Sequence, residues 1–124
     1  MSFYTALTGL NGAQSDISAT SNNIANVNTT GFKRSRAEFG DIFATSPLQN
    51  ASSSIGSGTI LKSVKQQFTQ GNIAASLNAL DLAISGQGFF ALKPSLTSTQ
   101  TVYTRNGSLN VNNDRYVVDS AGQY

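Results

Sequence analysis

The chain has 124 residues, 39% hydrophobic and 11% charged, with a formal net charge of +2, and Ser, Thr, Asn and Gln together supply about four residues in ten; the length suits one modest domain with a neutral, polar surface. It contains no Cys and no His, which excludes disulfide frameworks, thiolate nucleophiles, Cys/His zinc sites and the side chain most used for proton transfer near neutral pH. No apolar run is long enough to cross a bilayer, no secretory-type leader opens the chain, and the basic excess is local to Lys33, Arg34 and Arg36, a poor footprint for nucleic acid.

Residues 3 to 27 carry the clearest periodicity. Phe3, Leu10, Ile17 and Ile24 recur every seven residues, and Ala6, Ala13, Thr20 and Val27 each follow three further on, which predicts a long helix with an a/d seam along one side. Ser2 stands where an N-cap is expected, and Thr30-Gly31 where a glycine stop is expected. About 25 helical residues would reach roughly 38 Å.

Composition works against this helix. Gly9 and Gly12 cost about 1 kcal/mol each and the Ser, Thr, Asn and Asp residues about 0.5 each, together roughly 8 kcal/mol. Full burial of Phe3, Leu10, Ile17 and Ile24 returns about 6 to 12 kcal/mol, but only against another apolar surface. The segment alone is therefore expected to be largely disordered. An amphipathic helix ordinarily serves its own core. Here no other stretch offers a matching stripe, so the partner of the seam is expected outside these residues, in another subunit or a further part of the chain. Asn22, Asn23 and Asn26, near the end of the helix, form a candidate polar interface, because carboxamides bridge backbones without carrying charge; a solvated helix end is the competing reading.

From Gly31 to Ser46 the pattern loosens around Phe32, Phe39, Ile42 and Phe43, as in a linker with some ordered contacts. Residues 46–58, with Pro47, Gly56, Gly58 and three consecutive serines, read as a flexible surface loop. Five short strands are predicted at Thr59 to Phe68, Gly88 to Leu92, Thr101 to Arg105, Ser108 to Val111 and Arg115 to Val118, all rich in aromatic and β-branched residues. Asn106-Gly107 is the strongest hairpin signal, since both residues tolerate the positive φ of a type I′ turn. Ile73, Leu77, Leu80 and Ile84 have helical spacing, but Gly71 and Gly86 confine the stretch and favour a strand or ordered loop. The expected fold is α+β: an assembly helix over 1–30, an extended linker over 31–70, and a small domain of short antiparallel strands over 71–124.

No constellation of catalytic chemistry emerges. Asp81, Asp114 and Asp119 fit neither a carboxylate dyad nor a calcium loop, and Asp114 and Asp119 suit turns. Gly86-Gln87-Gly88 and Gly56-Ser57-Gly58 lack the strand, Lys and helix of a phosphate loop. Lys33-Arg34-Ser35-Arg36 reads as a solvated or salt-bridging patch. Phe89, Phe90, Tyr103 and Tyr116 read as core, which weakens the rival idea of a secreted binding module with an aromatic face. No catalytic residue, cofactor or metal is assigned.

Three blocks, in order, resemble a known family. The opening Met1-Ser2-Phe3 with LTGLNGAQSDISATSNNIANVNTTGFKRSRAEFGDIF, then GNIAASLNALDLAISGQGFF, then YTRNGSLNVNNDRYVVDSAGQY, resemble the bacterial flagellar axial proteins of the rod and hook. The short start and Gly40 to Ala44 look most like hook members, with distal rod members as the alternative. The resemblance implies a structural subunit without enzymatic activity, exported through the flagellar type III apparatus, that polymerises with its own copies and with other axial proteins, cap and junction proteins included. It implies a helical tube with coiled-coil terminal helices innermost, located in the extracellular flagellum, where hook members act as a flexible joint transmitting torque. Phe3, Ala6, Leu10, Ala13, Ile17, Ile24 and Val27 would then form the subunit seam.

Overall fold

The computed structural model describes residues 2–43 and 56–124. The flexible-loop expectation for 46–58 falls mostly on residues outside that description. The element order is α1 (Ser2–Ala25), β1 (Ser35–Asp41), β2 (Thr59–Gln66), β3 (Phe90–Leu92), β4 (Val102–Thr104), β5 (Asn110–Val111) and β6 (Val117–Val118). Among the described residues the strands pair antiparallel two by two, β1 with β2, β3 with β4 and β5 with β6, in three two-stranded sheets. The architecture is α+β, and it divides into two compact units.

The first unit is α1 seated on the β1–β2 ribbon. It corrects the linker expectation: Ser35–Asp41 is a strand, paired with Thr59–Gln66 across a bulge between Glu38 and Phe39. Its small residues and charges conceal the alternation at the sequence level. Ala37 is buried and its neighbours Arg36 and Glu38 are not, which is the period of a one-sided strand. Of the basic run, Arg36 meets Glu38 at 3.3 Å, a carboxylate that Lys65 of β2 also reaches at 2.8 Å. Arg34 Nε donates to Gln67 Oε1 at 2.8 Å.

The second unit comprises residues 27–33 and 68–124. Gly31, with φ +76°, leaves the helical path and lies so close to the Arg105–Asn106 peptide that a Cβ would collide with it. Residues 71–80 form no regular element, so the ordered-loop reading of that stretch holds.

Asn106-Gly107 is not the expected hairpin. Neither residue has positive φ, and β4 pairs with β3 while β5 pairs with β6. Gly107 is kept for a different reason: its carbonyl accepts from Leu82 N at 2.9 Å, and a Cβ there would strike the Leu82 carbonyl. The tight turn lies further on, where Arg115 takes φ 65° and Asn112 Oδ1 accepts from Asp114 N at 3.0 Å and Tyr116 N at 2.9 Å. Asp119 does serve a turn, accepting from Ala121 N and Gln123 N at 2.9 Å each.

The aromatic residues expected in the core are mostly at the surface: Phe89, Tyr103 and Tyr116 are exposed. Such short strands present too little area to cover them. Phe68 and Phe89 stack edge-to-face at 6.0 Å instead, as do Tyr116 and Tyr124 at 5.7 Å.

Candidate assembly surface

Helical geometry divides α1 into two stripes about 150° apart. Thr5, Thr8, Gly12, Ser15, Ala19 and Asn23 are half-buried and form the stripe turned to the ribbon. Most of them are small or polar. Gly12 fits closely there: a Cβ would stand a tight 3.3 Å from Thr59 Cγ2 and in ordinary contact, 3.6 Å, with the Phe39 ring. Thr8 Oγ1 accepts from Thr59 N at 3.3 Å.

The apolar seam lies on the other side. Phe3 is 90% exposed, Leu10 67%, Ile17 65%, Ile24 67%, and Val27 just beyond the helix 75%. Ala6 and Ala13 are exposed as well. Among the described residues nothing covers this stripe, although contiguous apolar surface of such extent ordinarily meets a partner.

The asparagines divide between two tasks. Asn23 Nδ2 donates to Ser35 O at 2.7 Å and its Oδ1 accepts from Ser35 N at 2.8 Å. Asn26 Nδ2 donates to Asn22 O at 2.9 Å and reaches Asn22 Oδ1 at 3.3 Å, closing the helix end on itself. Both uses lie within one chain.

Sequence reasoning missed Arg105. Its guanidinium donates to the carbonyls of Gly86, Gly88 and Ile84 and to Gln70 Oε1, the last two at 3.0 Å. Gly86 and Gly88 both have positive φ, so this loop turns its carbonyls inward onto one cation. An isolated Arg at a strand end carries no pattern that would have announced this.

Glu38 is the titratable group with a distinct environment. Hydrogen bonds from Lys65 and then Arg36 hold its carboxyl below its ordinary value of 4.5. The groove between α1 and β2, about 220 Å3 and lined in part by Tyr4, Asn11 and Ile60, has no charged side chain among the described residues that line it. No helix of the described residues is long and apolar enough to cross a membrane.

Residues 3–33 match the profile described as flagella basal body rod protein, and residues 83–124 that of the flagellar hook protein FlgE/F/G D1 domain. The chain belongs to the flagellar rod and hook family. It is 38% identical over 129 residues to the flagellar basal-body rod protein FlgG of Agrobacterium fabrum, covering 94% of this chain and 48% of that one. It is also 38% identical over 122 residues to the flagellar hook protein FlgE of Salmonella typhimurium, covering 98% of this chain and 28% of that one. The hook protein FlgE of Borreliella burgdorferi is 36% identical over 131 residues, with 97% and 29% covered. The chain thus spans about half the length of these rod relatives and less than a third of the hook relatives. The first profile lies over α1 and the second over β3 to β6, so family membership rests on both units.

Proposed function

We propose that the protein is a structural subunit of the flagellar hook, without enzymatic activity, that polymerises into a helical tube and serves as a flexible joint passing torque to the filament. The observation that carries this reading is the exposed seam of Phe3, Leu10, Ile17 and Ile24 along α1. In a tube these residues face the helices of neighbouring subunits, with Ala6 and Ala13 permitting close approach. Asp16 is the one charged residue of α1, so little charge is desolvated on assembly. Asn23 works within the subunit in this reading, and Asn22, exposed at the helix end and already accepting from Asn26, is the polar contact offered to a neighbour. Partners are its own copies, the other axial proteins and the flagellar export apparatus, and the location is the extracellular hook.

The alternative is a distal rod subunit, which the equal 38% identity to the rod relative supports as well as it does the hook. Immunogold labelling of isolated hook–basal bodies separates the two: label along the curved hook is expected, and label confined to the rod would select the alternative.

The seam is tested by Leu10→Asp and Ile17→Asp. Both positions are exposed in the single chain, so folding is expected to be unchanged, while an unpaired carboxylate in the assembled seam costs several kcal/mol per subunit. Sedimentation should show loss of polymer, and normal polymers from either variant would refute the seam.

A further inference from the structure

The helix α1 has two stripes, and its own ribbon is met by the less apolar one. By strand register Ala37 and Phe39 share a face with Val64 and Leu61, and this face meets α1, since Phe39 lies against Gly12. It is itself apolar, yet Leu61 and Val64 remain 38% and 52% exposed. A helix free to turn about its axis would gain by rolling Leu10 and Ile17 onto that surface. The contacts that oppose the roll are ones only the polar stripe can make.

Asn23 supplies two of them. Its carboxamide both donates to and accepts from the Ser35 backbone, at 2.7 and 2.8 Å, and so reproduces one rung of an antiparallel ladder at the start of β1. Thr8 adds the bond to Thr59 N, beside a Gly58 with no space for a Cβ, and Gly12 admits Phe39 and Thr59. These contacts depend on position and direction, whereas burial of the seam would not.

We propose that Asn23, supported by Thr8 and Gly12, is an orientation lock: it holds the polar stripe of α1 on the β1–β2 ribbon and thereby turns the apolar seam outward, where other chains can reach it. Without the lock the helix rolls by nearly half a turn, Leu10 and Ile17 cover Leu61 and Val64, and the chain becomes a monomer with its adhesive surface hidden. What the outward seam is for rests on the assembly reading above. The lock is a property of the single chain and is tested on it, so either idea can fail alone.

The chain has no cysteine, so one introduced thiol reports one position. Ile17→Cys places it on the seam and Ala19→Cys on the half-buried stripe; each is made with Asn23 intact and with Asn23→Ala, and labelled with a thiol reagent in dilute monomer. With Asn23 intact the thiol at position 17 is expected to react faster than the thiol at position 19. In Asn23→Ala the order of the two rates is expected to reverse while helical circular dichroism is retained. Asn23→Asp, which keeps the acceptor and loses the donor, should fall between. An unchanged order in Asn23→Ala overturns the proposal. Fast reaction at both positions with loss of helical signal overturns it too, because Asn23 would then support the helix without orienting it.

Discussion

Gly107 marks how strongly one atom can constrain a segment of this protein. It is buried against the Leu82 carbonyl with Phe90 close on the other side, at 3.0 Å from where a Cβ would stand. Gly107→Ala must displace backbone and not merely a flexible side-chain end, and is expected to cost about 1 to 3 kcal/mol, read as a lower urea midpoint. The Asn-Gly pair was legible as special, but not the reason, because close approach of a segment 25 residues earlier has no signature in the local sequence. Glu38 supplies the acid-side prediction. Its carboxyl is depressed below 4.5 by Lys65 and Arg36, so its contribution to stability is fully present above the unfolded value and is lost as pH falls through the folded one. Glu38→Gln is expected to flatten the dependence of unfolding on pH below about 4.5, and a slope identical to that of the parent chain would refute this. The side chain is half-exposed, so solvent screening keeps the effect small.

At the scale of elements, α1 is a helix whose composition disfavours it and whose environment only half repairs that. Gly9 has open space around it, so Gly9→Ala is expected to stabilise the dilute chain by about 1 kcal/mol through helix propensity alone. Circular dichroism during thermal unfolding checks the direction. The heptad pattern made both the helix and its seam legible, with an end at Ala25 close to the expected stop. The strands β2 to β6 fell within the segments expected from aromatic and β-branched content, each shorter than its segment. β1 was not foreseen. SRAEFGD alternates in burial without alternating clearly in hydrophobicity, since Ala and Gly occupy positions where larger apolar residues would make the period visible. The Arg105 loop was illegible for a similar reason: a cation gathering backbone carbonyls selects conformation, not residue type.

For the molecule as a whole, the shortage of interior is the governing fact. Among the described residues only Ala37, Leu92 and Val118 are buried hydrophobics, and no large side chain is fully buried, while Phe3, Leu10, Phe43, Leu77 and Tyr103 are exposed. In the assembly proposed above, that surface is buried on assembly, and a partner that binds the folded form raises its stability by mass action. The unfolding temperature is therefore expected to rise with protein concentration in the range where polymer forms. A temperature independent of concentration across that range would mean that assembly adds nothing to the fold.

Periodicity and turn residues already determined a helix with an apolar edge and a β-rich remainder, because each of these is written in neighbours a few residues apart. Which stripe of the helix meets the ribbon was decided only by tertiary structure. It depends on Thr8 finding Thr59 across 51 residues and on Asn23 finding the Ser35 backbone, and such pairings select one face among several that hydrophobicity alone would rank the other way.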